Sequence, residues 1–183
     1  MQITTNLDEL SNGIHDPRIL ALLRHWQNVR SGRFASIAEL DLTAIPATLP
    51  LLYVILVPPR RQLRPEQIQY RFVGEEVAKS LGIYATGMTV AEVLTRDAAE
   101  NFTAAIGGFL KDPCILHSVH VNHLPNVTEI RTERLILPMS GTDGSLDAFA
   151  VAFSTLERSP LNRLHEKSEN QNVWVETLRK FRL

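Results

Sequence analysis

Three histidines, His117, His120 and His123, are the residues whose type and spacing come closest to a metal site. Imidazole nitrogens bind zinc and haem iron, so a cluster of this kind invites that chemistry. The neighbouring residues predict a strand, however, in which side chains three positions apart point to opposite faces. His117 and His123 then face one side and His120 the other. We therefore expect surface or core histidines here, and no metal site.

Signatures of an enzyme are missing from the rest of the sequence. It contains no nucleophile elbow, no phosphate-binding glycine loop and no His-Glu-x-x-His helix. Glu75 and Glu76 are adjacent, so on a helix they point about 100° apart and form a poor catalytic pair. The sequence predicts a protein that is not an enzyme and shows no evident cofactor motif.

Charge excludes a broad attraction to nucleic acid. Nineteen basic residues against twenty acidic ones leave a formal net charge of -1, so no global field favours DNA, RNA or an anionic bilayer. Arg60, Arg61 and Arg64 form one basic tip between prolines, but no aromatic residues interleave with them as in single-strand binders. We expect no nucleic-acid partner.

The compartment is indicated by the single cysteine and by the apolar segments. Cys114 is the single cysteine in 183 residues, which fits a reducing compartment. We expect it to be a small buried residue after Pro113 rather than a reactive thiol. The most apolar window, residues 49–59, is about half the roughly 20 residues of a membrane-spanning helix. Residues 1–13 lack the pattern of a signal peptide. A cytoplasmic protein without membrane insertion is predicted.

Periodicity of the apolar residues predicts an alternating order of helices and strands. Asp16 and Pro17 are good starting residues for a helix that extends to about Arg30, with apolar residues at helical spacing. Strands are predicted at 51–57, 67–73, 114–123, 127–138 and 146–156, short helices at 75–81 and 89–94, and a long helix at 96–111. Gly107 and Gly108 within the long helix indicate either close packing or a weak point.

Four short segments carry a family resemblance. They are the stretch from Asp16-Pro17-Arg18 to Trp26, then Tyr70-Arg71-Phe72-Val73-Gly74, Thr86-Gly87, and Glu133-Arg134-Leu135-Ile136-Leu137-Pro138. In this order and spacing the chain resembles the short, stand-alone bacterial proteins of the PAS-domain superfamily. The resemblance covers about residues 16–156.

The resemblance implies an α+β fold of the PAS type. A five-stranded antiparallel sheet would carry helices on one face, with N- and C-terminal helical extensions. Residues 1–50 would form the N-terminal helix and lead-in, 51–156 the PAS-like core, and 157–183 a polar and amphipathic extension. The family also implies sensing or protein interaction rather than turnover, and output through a separate signalling protein.

Cofactors of PAS proteins find little support in the residues. Haem-binding PAS domains take an axial histidine from the long helix or nearby, and residues 96–111 contain none. Flavin-linked light sensing needs a cysteine in an Asn-Cys-Arg motif of the helical section, whereas Cys114 lies after it. Haem and flavin are therefore disfavoured.

A cavity between the long helix and the sheet is the predicted ligand site. Its ten candidate residues are Tyr53, Tyr70, Phe72, Phe102, Ile106, Phe109, His117, Phe149, Val151 and Phe153. A small, largely apolar ligand would fit them, with Tyr53, Tyr70 or His117 as its polar anchor. The same residues also suit an ordinary filled core.

The end of the chain contributes to a predicted homodimer. Trp174, Leu178 and Phe181 lie at i, i+4 and i+7, which predicts a helical face. Flanking helices commonly make dimers in PAS proteins, and we expect the terminal helices to do so here. Two other functions stay open: a small cone-shaped α+β enzyme with a pocket histidine or carboxylate as general base, and a purely structural interaction module.

Overall fold

The computed structural model describes residues 2–4, 6–30, 32–58, 62–124, 128–141, 144–160 and 173–183. Residues 2–4, 122–124, 128–129, 158–160, 173–177 and 182 are described by their backbone alone. The helices are α1 (Leu7–Asn12), α2 (Pro17–Val29), α3 (Glu75–Leu81), α4 (Val90–Val93) and α5 (Arg96–Lys111). Short 3-10 helices lie at Leu42–Ala44, Pro46–Leu51 and Pro65–Gln67. None of the described helices is long and apolar enough to cross a membrane.

The strands form one sheet. They are β1 (Gln2–Thr4), β2 (Ala35–Ser36), β3 (Leu52–Leu56), β4 (Gln69–Val73), β5 (Cys114–Leu124), β6 (Thr128–Ser140), β7 (Leu146–Pro160) and β8 (Val173–Arg182). Seven follow one another in the order β1-β8-β5-β6-β7-β3-β4, and β2 pairs with the end of β6. The pairs β1 with β8 and β2 with β6 are parallel. All the others are antiparallel.

The expected sheet of five strands with helices on one face is wrong, because the described sheet has eight strands and helices cover both of its faces. The α+β class and the five predicted strands are confirmed. They correspond to β3, β4, β5, β6 and β7, which lie side by side in one antiparallel sheet. The helices at 75–81 and 96–111 begin and end at the predicted residues, and α2 differs from its prediction only at its ends. Amphipathic periodicity is therefore a sufficient signal for these elements, because each buries one apolar face.

The prediction of a C-terminal helical extension is wrong. Residues 173–182 form strand β8, which pairs antiparallel with β5 from Cys114 opposite Arg182 to Asn122 opposite Val173. The helical spacing of Trp174, Leu178 and Phe181 is real. However, the free backbone edge of β5 lies far away in the sequence, and pairing with it decides the structure. Residues 161–172 lie outside the described part of the chain.

Helices cover both faces of the sheet. The N-terminal face is covered by α1 and α2, and the mid-chain face by α3, α4 and α5. In α2 the buried stripe that packs on the sheet consists of Ile19, Leu22, Leu23 and Trp26. The indole Nε1 of Trp26 donates a hydrogen bond to the carbonyl of Pro138 at 3.0 Å. The apolar face of α2 is thus used within its own chain, which removes it as a dimer surface.

The two glycines of α5 do not mark close packing. A Cβ added at Gly107 or at Gly108 would meet no heavy atom within 4 Å in the described structure. Gly74 is different, since a Cβ there would lie 2.0 Å from the carbonyl oxygen of Leu49. Close approach of two backbones therefore requires glycine at position 74, but not at 107 or 108.

Candidate functional site

The four sequence motifs contact one another in two pairs. The motif that begins at Glu133 contacts the one that begins at Asp16, and the motif that begins at Tyr70 contacts Thr86-Gly87. Strand β6 carries Glu133, whose carboxylate accepts hydrogen bonds from the backbone N–H groups of His15 and Asp16, both at 2.8 Å. On the mid-chain side, the N–H of Gly87 donates to the carbonyl of Tyr70 at 2.7 Å, and the N–H of Val73 donates to Thr86 Oγ1 at 3.1 Å. The motifs therefore fix elements to one another across long stretches of sequence.

Glu133, His117, His15 and Asp16 form a cluster, called here the anchor cluster. The carboxylate Oε1 of Glu133 lies 2.7 Å from His117 Nε2 and 3.1 Å from His15 Nδ1. The side chains of Glu133 and His117 are both fully buried, whereas that of His15 is half exposed. An ionised carboxylate only accepts, so both ring nitrogens that contact it donate a proton.

The net effect of this environment is to keep Glu133 ionised. Burial opposes its charge, but the hydrogen bonds from His117 and from the backbone of His15 and Asp16 outweigh burial, so the pKa of Glu133 is lowered. The pKa of Asp16 is lowered for the same reason. Burial raises it, but hydrogen bonds from Arg18 lower it by more. The Asp16 carboxylate also caps α2 by accepting from the Arg18 N–H at 2.8 Å. The cluster thus secures the first turn of α2 to the centre of the sheet.

Three potential metal ligands converge in the anchor cluster. His15 Nδ1, His117 Nε2 and a Glu133 oxygen all lie within 4.8 Å of one another. A metal on His117 Nε2 would move the ring proton to Nδ1, which is buried and has no hydrogen-bond partner among the described residues. Glu133 Oε1 is already occupied by the backbone N–H of His15. The donor set therefore fits a hydrogen-bonded anchor better than a metal centre.

The predicted histidine trio does not come together. His117 lies on the N-terminal face with Glu133, while His120 lies on the opposite face, where its Nε2 contacts Ser118 Oγ at 2.8 Å. The side chain of His123 lies outside the described residues. His117 and an acid do converge, as the enzyme alternative required. Yet the side chains of both residues are fully buried, so a substrate in solvent cannot reach them in this structure.

A cavity of about 210 Å³ lies on the mid-chain face, between the sheet and helices α3 and α5. It is called here the sheet–helix cavity. Its lining residues are Tyr53, Tyr70, Val77, Ser80, Leu81, Leu94, Phe102, Arg134 and Phe153. The rings of Tyr53 and Tyr70 lie 6.0 Å apart at a tilt of 55°. Most of the wall is therefore apolar or aromatic, as in sites for small ligands.

One end of the sheet–helix cavity is polar. The Arg134 guanidinium lies over the ring of Phe153, 5.9 Å from its centroid. Burial, and secondarily the charge of Arg134, lowers the pKa of His120, which favours the neutral imidazole. Burial also raises the pKa of Tyr53 and raises that of Tyr70 to about 12, so both phenols keep their protons. The cavity thus offers hydroxyl donors and one cation.

Four of the ten predicted pocket residues line this cavity: Tyr53, Tyr70, Phe102 and Phe153. Four others, Ile106, Phe109, Phe149 and Val151, belong to the core cluster beside it. There Phe109 and Phe149 pack with their ring centroids 5.8 Å apart. The side chains of these four residues pack behind the residues that line the cavity.

Phe72 and His117 lie on the other face of the sheet. An irregularity between Val54 and Ile55 places Phe72 opposite Val54 and Tyr70 opposite Ile55. Simple alternation puts Tyr70 and Phe72 on one face, and this shift separates them. Phe72 packs in the N-terminal core instead. His117 pairs with Leu135, whose side chain is also in that core, so it offers no anchor to the cavity.

Sequence reasoning missed two features of the site. The sequence shows Arg134 only as part of a motif, although strand alternation with its neighbour Leu135 would have placed it on the opposite face of the sheet from that core residue. The partnership of Glu133 with His15 joins residues 118 positions apart and has no local signal. Cys114 is buried as expected. Arg64 is exposed, whereas Arg60 and Arg61 lie outside the described residues.

Comparison with known proteins adds no relative to this description. No family model, no curated protein and no solved structure matches the chain.

Proposed function

We propose that this chain is a non-enzymatic sensory or interaction domain of the PAS type that binds a small ligand in the sheet–helix cavity. Three structural features support the proposal. The five strands β3 to β7 lie in one antiparallel sheet, the helical segment between β4 and β5 covers one of its faces, and a cavity lies beneath that segment. The protein would act in the cytoplasm, through a separate signalling protein.

The cavity is the single observation that carries the proposal. The space of about 210 Å³ beside Tyr53, Tyr70 and Phe102 is partly open, and its wall includes the exposed Ser80, so a small molecule can reach it from solvent. Pockets for drug-sized ligands occupy about 300–1,000 Å³. The ligand that we propose is therefore smaller than haem or a flavin.

The signal would pass through the helices that form the cavity roof. Val77, Ser80 and Leu81 come from α3, and Phe102 comes from α5, so a ligand contacts both helices and the sheet at once. A ligand shifts an equilibrium only by binding one of two states more tightly. The ligand-bound state would hold α3 and α5 against the sheet, and a partner would distinguish it from the empty state.

Filling the cavity provides the test. In the variant Leu94→Trp the larger side chain occupies the space, and native mass spectrometry should show that a ligand carried by the purified wild-type chain is lost. Leu63→Trp is the matched control, because Leu63 lines a separate groove of about 710 Å³ beside α5. This variant should keep the ligand. A wild-type chain that carries no small molecule, and binds none from a library of single-ring compounds, would contradict the proposal.

A homodimer is part of the same proposal. The terminal helices expected from the sequence do not supply its interface, since the C-terminal segment is a strand and the apolar face of α2 is buried in its own chain. Sedimentation equilibrium of the full chain over a wide concentration range tests it directly. A single species of 20.6 kDa at every concentration would refute it.

A further inference from the structure

The sheet–helix cavity contains one cation that lacks an anion. Arg134 lies on the central strand β6 and is only partly exposed. Among the described side chains, Arg18 is paired with Asp16 at 2.8 Å and Arg96 with Glu100 at 3.2 Å. No carboxylate within the described part of the chain pairs with Arg134 in this way. Partial burial of an unpaired guanidinium is costly, and a bound anion would relieve that cost.

The groups around Arg134 leave its charge uncompensated. Ser118 and Phe153 flank it on the neighbouring strands, in register with it on β5 and β7. Ser118 is hydrogen-bonded to His120, whose pKa is lowered by burial and then by Arg134. Phe153 supplies only the face of its ring. None of these groups carries a negative charge, so the polar end of the cavity is electropositive.

The size and the walls of the cavity limit the rest of the ligand. A cavity of about 150 Å³ can hold benzene, and this one measures about 210 Å³. The difference leaves room for one small polar group. Away from Arg134, the walls are formed by Val77, Leu81, Leu94 and Phe102, which suit an apolar body.

From these observations we infer that the cavity binds a small monocarboxylate with a single apolar ring, whose carboxylate pairs with Arg134 and whose ring lies against Tyr70 and Phe102. A guanidinium binds a carboxylate through two parallel hydrogen bonds, which fixes orientation as well as charge. The inference rests on the proposed function, because it names the chemical class of ligand for the same cavity.

Calorimetric titration of the full chain with three probes tests the inference. The probes are phenylacetate, its neutral analogue phenylacetamide, and acetate, which keeps the charge but lacks the ring. Phenylacetate should bind about tenfold or more tightly than phenylacetamide, as expected for a hydrogen bond to a charged group. Acetate should bind far more weakly than phenylacetate, because it leaves the apolar walls uncovered.

Two arginine variants locate the effect. In Arg134→Gln the preference for phenylacetate over phenylacetamide should disappear, while Arg134→Lys should retain part of it. Arg71→Gln is the matched control, because Arg71 lines a different cavity beside Phe72, and it should leave the preference unchanged. Circular dichroism confirms that each variant is folded, and the comparison of probes on the wild-type chain decides the question even where a variant is not.

The outcomes separate the two proposals. Equal binding of phenylacetate and phenylacetamide to the wild-type chain would overturn the carboxylate inference and leave the ligand cavity in place. An undiminished preference in Arg134→Gln would likewise overturn it. If none of the probes binds at millimolar concentration, the carboxylate inference fails, and the proposed function is then decided separately by native mass spectrometry of the wild-type chain.

Discussion

Replacement of Glu133 by glutamine should lower the free energy of unfolding by about 2–4 kcal/mol. The carboxylate accepts four hydrogen bonds, three through Oε1 and one through Oε2, from His15, His117 and Asp16. Glutamine has one acceptor oxygen, which can serve the three donors at Oε1. Its amide group then faces the N–H of Asp16, so a buried donor meets another donor.

The magnitude follows from that count. A hydrogen bond to a charged group contributes about 1.5–3 kcal/mol, and a buried donor without a partner costs about 1–3 kcal/mol. The three remaining bonds also lose their charge assistance. Glu76→Gln is the matched control, because Glu76 is half exposed and contacts Arg18 at 3.3 Å. Exposed ion pairs contribute at most about 1 kcal/mol, so this variant should change little.

Urea unfolding followed by circular dichroism measures both variants. The pH dependence supplies a second readout. Because the pKa of Glu133 is lower in the folded protein than in the unfolded chain, its contribution to stability is complete above the ordinary pKa of glutamate and is lost as the pH falls through the lowered value. The difference between wild type and Glu133→Gln should therefore be largest at neutral pH and shrink in acid. A loss no larger than that of Glu76→Gln, or one independent of pH, would show that the ionised Glu133 carboxylate does not stabilise the fold.

Two further predictions concern the mid-chain helices and the polar end of the cavity. Gly107→Ala and Gly108→Ala should each stabilise the fold by up to about 1 kcal/mol in urea unfolding, since a helix interior favours alanine and the added methyl groups meet nothing. Gly74→Ala should destabilise it, and equal effects at the three positions would contradict the packing described. In Arg134→Gln the pKa of His120 should rise but stay below its ordinary value, because burial is the larger cause of the shift. NMR titration of the imidazole measures it. An unchanged pKa would show that Arg134 does not lie close to His120.

Local sequence predicts the elements whose own side chains decide their structure. Residues 96–111 bury one stripe of a helix, including Ile106. Strand β7 is buried on both faces from Ala148 to Ala152, and large side chains such as Phe149 and Val151 alternate there with alanines. In each case the period of the apolar residues reports the period of the backbone. The motif resemblance placed the strands in one sheet, and the antiparallel order β4-β3-β7-β6-β5 agrees with that expectation.

Distant pairing explains what local sequence could not predict. Strand β8 forms because the edge of β5 is free to pair with it, although its own residues are spaced as in a helix. Phe72 leaves the cavity face because of one irregular step opposite Val54. Glu133 finds its partners in the segment before α2, more than a hundred residues away. A one-residue change of register reverses which face a side chain occupies, so the list of cavity residues is more fragile than the list of strands.

A crystal structure of the full chain as purified would show whether the sheet–helix cavity holds a ligand. We expect compact electron density in the sheet–helix cavity, in contact with Tyr70 and Phe102, with its polar end near Arg134. A structure in which Leu94 and Phe102 close the space and leave no cavity would contradict this expectation.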